Sequence, residues 1–430
     1  MRAAEPPTPH QFLQRLCDDF GGRMTGTTAN MGAMSRLEDE LRALGYMPQR
    51  QPFQMQGWER GDDRVELVAP FKRRLRVAAL SYSQAHVAFE ASVVNIGNGR
   101  PEDYPSSEVT GRIGLLAAGT PLQARDIVAS AAARKLRGIL FVNREAGGQL
   151  LARTGSFDGE MLPLPIYSIA QEEGLWIQRL LAGGTAVTVR METRSMCRTV
   201  ETANLVVRIP GREAGRLIVG AHFDSWDLGQ GAMDNGLGVA QLYALAIALR
   251  GATSRHAIEL VWFNGEEQGL RGSRHAAAQL GSAPIVAMIN LDMVGVPIAV
   301  NALGDDSLVP ALERWHAART VKARLAKGVE NLNWVASDHT PFQLKGVRTI
   351  TFNAPIPRES VRYYHDFADT IDKVSPQLVD DSAAIIVDLV RTLANDAELA
   401  AFRRSREETE KLFTRFGLER RMRGMGLWEF

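Results

Sequence analysis

The sequence is poor in cysteine. Only Cys17 and Cys197 occur in 430 residues, which allows one bridge at most and excludes a disulfide framework. It also lacks an excess of charge. A formal net charge of +1 gives too weak a field to gather nucleic acid or an anionic membrane, so neither is an expected partner. Long apolar runs are missing, and the longest, such as Tyr243–Leu249, fall short of a bilayer span. The stretch Met1–Leu16 holds prolines and charges but no apolar segment of signal-peptide length. A cytoplasmic location is expected for such a start, and a secreted one if it is a processed or recombinant terminus. HExxH, GxSxG and the P-loop are absent. Their absence removes the corresponding zinc-protease, serine-hydrolase and nucleotide chemistries. Internal repeats and low-complexity tracts are also absent.

What is present is the balance of a soluble globular enzyme. Hydrophobic residues make up 45% and charged residues 23%, enough apolar material for at least one large core. The N-terminal part, 1–60, reads as helix from HQFLQRLCDDF, then a turn-rich loop. A second helix follows with Met34, Leu37, Leu41 and Leu44 at helical spacing, ending at Gly45. Residues 61–200 change character: RVELVA, ASVVNI, RIGLLAAG, ILFV, LPIYSI and AVTVRMET read as short strands around two helices. Residues 201–395 alternate strand and helix, with NLVVRI, RLIVGAH, AIELVWF, IVAMINLDMV and RTITFNA as the strands. That alternation predicts an α/β sandwich around a largely parallel sheet. The tail, 396–430, is charged and predicted helical. Its Leu412, Phe413, Phe416, Leu418, Trp428 and Phe430 are available to dock on the body or on a second subunit, so a homodimer is an open expectation.

The informative side chains follow the C-terminal ends of predicted strands, where open α/β sheets place ligands. His222 and Asp224 follow RLIVGA, Glu266 and Glu267 follow AIELVWFNG, and Asp292 follows VAMINL. Asp234 opens the long helix NGLGVAQLYALAIALR, and His365 lies far along in VRYYHDFADTIDKV. Imidazole and carboxylate donors of this kind suit a dinuclear zinc site. Two close cations need a bridging carboxylate, terminal ligands and an open position for water. Asp224, two residues beyond His222, is expected to accept the free ring N–H of His222 and fix its tautomer. His339 in SDHTPF is the rival to His365. Ser337 and Asp338 read equally as pocket residues or helix caps. Asp369, Thr370 and Asp372 read as turn and capping residues. Tyr363 and Tyr364, beside His365, are candidates to donate to an oxyanion.

The blocks HFDSWDLGQGAMDNGLGVA, FNGEEQGLRGSR, INLDMVG, SDHTPF and HDFADTIDKV resemble the co-catalytic dizinc aminopeptidase family. That family includes bacterial leucine aminopeptidases and plasma glutamate carboxypeptidase (carboxypeptidase Q), the nearer of the two. The resemblance implies the zinc-exopeptidase fold, a phosphorylase/hydrolase-like three-layer α/β/α sandwich on a mostly parallel mixed sheet. It implies that 61–200 is an inserted protease-associated domain and that GRMTGT belongs to the catalytic domain. It further implies two zinc ions per chain, bridged by Asp234. His222 and Asp292 would complete one ion and Glu267 and His365 the other, with Glu266 as general base and a cis peptide after Asp234. The expected activity is hydrolysis of dipeptides or short peptides by a metal-activated water. The alternatives are a single-zinc glutaminyl cyclase-like enzyme and a non-catalytic binding module of the same fold.

Overall fold

A computed structural model describes residues 6–105, 108–119, 124–319, 325–357 and 362–430; residues 1–5 of the predicted N-terminal part lie outside this range. The chain forms two eight-stranded sheets. The first runs, in spatial order, Gln49–Glu59, Met196–Ile209, Ala257–Phe263, Arg216–His222, Ile285–Asn290, Thr349–Asn353, Ala299–Asn301 and Gly328–Glu330. Its centre is parallel, with Arg216–His222 between Ala257–Phe263 and Ile285–Asn290, and Thr349–Asn353 beyond. The flanking strands Gln49–Glu59, Met196–Ile209 and Ala299–Asn301 join antiparallel, and Gly328–Glu330 pairs parallel at the far edge. This is the mixed, mostly parallel sheet that the alternating pattern predicts.

The central strands are apolar on both faces because helices cover both. Leu217, Val219 and Leu260 are buried on one side, and Ile218, Val261 and Met288 on the other. The helix Leu237–Ala248 packs under the sheet between Pro9–Phe20 and Pro376–Asn395. Its residues from Leu237 to Ala246 are buried, so it is apolar all round, as a helix enclosed by layers must be. Arg271–Ala278 and His339–Leu344 cover the other face. The N-terminal helix is set by a capping box, in which the Thr8 hydroxyl accepts from Gln11 N and the Gln11 side chain accepts from Thr8 N.

The second sheet uses strands from Arg64–Ala69 to Thr188–Glu192 and lies within the 61–200 segment. All six strands read from the sequence there are present, at Arg64–Ala69, Ala88–Asn95, Ile113–Leu116, Gly138–Val142, Ile166–Ile169 and Thr188–Glu192, with two short ones added at Arg73–Arg74 and Val77–Ala79. The sequence reading also misses the strand Gln49–Glu59, which pairs along its whole length with Met196–Ile209. It is the edge of the first sheet, which is why Pro52, with no N–H to give, is tolerated inside it. This antiparallel pair leads out to the second sheet and back. Residues 196–200, placed by sequence in the insert, therefore belong to a strand of the first sheet.

The tail forms the helices Arg406–Arg415 and Glu419–Gly424. Phe413, Met422, Met425 and Leu427 are buried against Leu270 and Val335, with Phe157 packed alongside. Among the described residues no helix is long and apolar enough to cross a membrane.

Candidate metal centre

Three neighbouring parallel strands end at one place. Arg216–His222 delivers His222, the loop after Ala257–Phe263 delivers Glu266 and Glu267, and the loop after Ile285–Asn290 delivers Asp292. Asp234 comes from an irregular turn, Ala232–Gly236, that leads into the helix Leu237–Ala248. The Asp234–Asn235 peptide in that turn is cis. His365 arrives from a loop, with φ of 56°, a left-handed setting that a non-glycine residue holds only when its surroundings enforce it.

The side chains meet around Asp234. Its Oδ1 lies 3.1 Å from His222 Nε2, and its Oδ2 lies 3.0 Å from His365 Nε2. Asp292 Oδ1 is 3.5 Å from the same His222 nitrogen, and Glu267 Oε2 is 3.2 Å from the same His365 nitrogen. One carboxylate is thus shared by two groups of donors. Ligands on a tetrahedral zinc at its usual bond lengths stand about 3.3 Å apart, so each group is spaced as the edge of such a tetrahedron. The other Glu267 oxygen, Oε1, is buried without a hydrogen-bond partner, a donor lacking an acid proton or a cation.

The electrostatics agree. Asp224, Asp234, Glu267 and Asp338 are all buried here, an anionic excess that must be neutralised. Burial pushes the Glu267 carboxyl up to about 7, with His365 pulling it down and Asp234 pushing it up. Burial likewise raises Asp338 to about 7, and it raises Glu266, to which Glu267, Asp292 and Asp338 add. His365 goes up to about 10: burial opposes its charge, but Glu267 and Asp234 outweigh it. Asp234 is lowered despite its burial, because both imidazoles donate to it. Protons stand where cations would satisfy the same carboxylates.

A layer of hydrogen bonds fixes these donors. Asp369, read from sequence as a capping residue, is buried, and its two oxygens accept Met233 N at 2.8 Å and Asp234 N at 3.0 Å. Ser337 Oγ donates to Asp292 Oδ2 at 2.6 Å and accepts from Asn290 Nδ2 at 2.8 Å. Asn235 donates to Leu291 O and accepts from Met293 N and Gly238 N, tying the turn to the Asp292 loop. A Cβ at Gly238 would meet Asn235 Oδ1 and Leu291 O, both at 2.5 Å, so that helix start admits only glycine. Arg23, fully buried, donates to the carbonyls of Phe223, Gln230 and Gly231 and so frames the loop between His222 and Asp234. The sequence reading gave Arg23 no role. Its only signal was a lone arginine between a glycine pair and a turn.

Asp224 departs from expectation. The ring Nδ1 of His222 meets the backbone carbonyl of Asp224 at 3.0 Å, not its carboxylate, which stands 3.8 Å away. The strand stops at His222, so the two-residue alternation that would align the side chains no longer holds. The Asp224 carboxylate instead accepts Glu266 N at 3.1 Å and Glu267 N at 3.3 Å, shaping the turn that presents the glutamate pair. His339, the rival histidine, is not among the converging donors: it is buried, its Nε2 meets Trp334 O at 2.9 Å, and burial lowers it to about 4. Tyr364 stacks on His365 with ring centroids 3.5 Å apart, whereas Tyr363 lies under Arg362 and Lys373. Trp226 packs between Trp58 and His365.

The insert reaches this centre through backbone. His365 Nδ1 meets Ala152 O at 2.9 Å, and Ala152 N donates to His365 O at 2.9 Å. Leu150 N donates to Asp366 Oδ2 at 2.6 Å. Glu266, Glu267, His365 and Tyr364 open onto a cavity of about 460 Å³, walled by insert residues such as Phe141 and Thr154 and by tail residues Arg421 and Met425.

The chain is similar in sequence and in fold to known peptidases. Its residues 204–390 match the model of peptidase family M28, and this segment holds all the site residues from His222 to His365. The aminopeptidase YwaD of Bacillus subtilis is 24% identical over 88% of this chain and 82% of its own length. A probable leucine aminopeptidase 2 of Arthroderma benhamiae is 26% identical over 66% of this chain, which spans only 57% of that protein. The fold is that of BSAP, a zinc aminopeptidase from Bacillus subtilis, with a TM-score of 0.74 at 21% identity, covering 92% of this chain and 97% of that one.

The Asp369 carboxylate has a testable role. Asparagine in its place keeps one acceptor and turns an N–H₂ group toward a backbone N–H. Asp369→Asn is expected to weaken zinc binding about 10–100-fold, the usual cost of losing a group that orients a ligand. Competition against a chelator of known affinity checks this, and an unchanged affinity would remove Asp369 from the site.

Proposed function

We propose that this chain is a dizinc exopeptidase of the aminopeptidase or dipeptidase type, acting on dipeptides or short peptides. The carrying observation is the Asp234 carboxylate, with one oxygen facing His222 and the other facing His365. In this reading Asp234 bridges two ions, His222 and Asp292 complete one, and Glu267 and His365 complete the other. Two zinc ions there would lower the pKa of a water and polarise the scissile carbonyl. Glu266 lines the cavity and is not among the close contacts around Asp234, so it is free to take the proton of the attacking water and pass it to the leaving amine. Asp224 holds the Glu266 and Glu267 backbone, fixing where that proton is received. The names of the relatives support release of N-terminal residues. The walls from the insert and the tail support short substrates, since the cavity is the size of a small-ligand site.

Zinc analysis combined with a panel of dipeptides, tripeptides and longer peptides, with and without chelator, tests this. Two zinc ions per chain and chelator-sensitive cleavage of the short members are expected. One ion per chain, or turnover indifferent to the chelator, would overturn it.

A further inference from the structure

The cavity above the metal centre is walled by four arginines: Arg144 and Arg153 from the insert, Arg362 from the loop before His365, and Arg421 from the tail. Arg144 is partnered by Glu145 at 3.3 Å. Arg362 donates to Ala146 O at 2.9 Å, but its Nε is buried without a partner. Among the described residues neither Arg153 nor Arg421 is paired with a carboxylate. Burial depresses the Arg153 guanidinium, Tyr364 offsets this in part, and the like charge of Arg421 adds to the depression. Arg153 is half-buried and Arg421 exposed, and two guanidinium groups facing one cavity without a carboxylate paired to either repel one another. An anion entering the cavity relieves this repulsion, and a planar guanidinium fork matches a carboxylate.

The placement of Arg153 is built. Ala152 before it meets the His365 ring through its carbonyl and the His365 carbonyl through its N–H, the Arg153 carbonyl accepts Ser81 N at 3.0 Å, and Thr154 Oγ1 meets Ser81 Oγ at 3.1 Å. Arg421 sits in the helix Glu419–Gly424, whose Met422 is buried against Leu270, close after the glutamate pair. Insert and tail thus bring positive charge to a site whose own acids face the zinc ligands.

We propose that Arg153, assisted by Arg421 and Arg362, binds a carboxylate of the substrate in this cavity. The inference rests on the peptidase reading and names its substrate class: peptides carrying a carboxylate near the scissile bond, supplied by a free C-terminus or an acidic side chain.

The test compares Leu-Gly, Leu-Gly amide and Leu-Glu amide as substrates of the zinc-loaded full chain and of Arg153→Met, Arg153→Lys and Arg421→Gln. Binding of the uncleavable Leu-Gly analogue with a reduced peptide bond, as acid and as amide, is measured by calorimetry alongside. The wild-type protein is expected to favour one carboxylate substrate over Leu-Gly amide at least tenfold in kcat/KM. Preference for Leu-Gly marks the free terminus, and preference for Leu-Glu amide marks the side chain. That ratio is expected to fall toward one in Arg153→Met, to fall partly in Arg421→Gln, and to be retained in part by Arg153→Lys. Since Arg421 lies on the surface helix, its variant keeps the test decisive if Arg153→Met does not fold. Cleavage of all three peptides at similar kcat/KM, or a preference untouched by the variants, would overturn the carboxylate site and leave the peptidase reading standing. Acid-selective, Arg153-dependent binding without cleavage would support the site and overturn the peptidase reading.

Discussion

Glu266→Gln is expected to lower kcat by about 10²–10⁴-fold, the usual weight of a general base, while zinc content stays unchanged. Glutamine keeps the shape and the backbone bond to Asp224 but does not accept a proton at neutral pH. Glu266 has no place among the donors around Asp234: the contacts at 3.0–3.5 Å belong to His222, His365, Glu267 and Asp292. Loss of turnover with both ions retained therefore separates base from ligand. Steady-state rates and metal analysis on the same preparation check it. Activity within a few-fold of wild type would move the proton transfer elsewhere, and loss of zinc would make Glu266 a ligand.

Removing zinc is expected to destabilise the fold, and more so at high pH. A ligand present at about 1,000 times its Kd stabilises by ~4 kcal/mol per site, so chelation is expected to cost at least that. The pH dependence follows from the metal-free carboxyls. Glu267 and Asp338 titrate at about 7 in the folded chain, above their unfolded values. The folded state then holds protons that the unfolded chain releases from about pH 4, and stability falls as pH rises toward 7. His365, raised to about 10, contributes stability that is full below about pH 6.5 and is lost as pH rises through 10. Both slopes have the same sign. Bound zinc needs Glu267 and His365 deprotonated, so its own contribution grows with pH. Thermal melts at pH 6 and pH 9, with and without chelator, are expected to show a Tm gap that widens at pH 9. An equal gap at both values, or none, would contradict the account.

The catalytic layer was legible because its strands are apolar runs that stop at a polar residue. RLIVGAH and AIELVWFNGEE each announce a buried parallel strand and a side chain at its end, and the structure brings His222, Glu267, Asp234, Asp292 and His365 together. The six longer insert strands were legible as short alternating or apolar runs between turns. Gln49–Glu59 was not: its exposed positions are Gln49, Arg50, Pro52 and Gln54, and on a sheet edge only its last part is buried, so no apolar period marks it. The orienting groups were hidden for another reason. Asp369, Asp224 and Arg23 act on backbone atoms far away in sequence, and the carbonyl that meets His365 belongs to an alanine. A main-chain donor or acceptor leaves no trace in residue identity. Arg153 and Arg421 lie in segments read as a separate module and a charged tail. Their meeting in one cavity is a product of tertiary packing alone.

The reciprocal contact between Ala152 and His365 has a consequence for how this protein can be re-engineered or trimmed. An excision of residues 64–192 would take away the peptide group that holds the imidazole in its left-handed setting, and the ring would be free to swing. The outer lobe is a jig for the catalytic one, and a small slip between the two would be felt as a misaimed nitrogen before any barrier to substrate entry had changed.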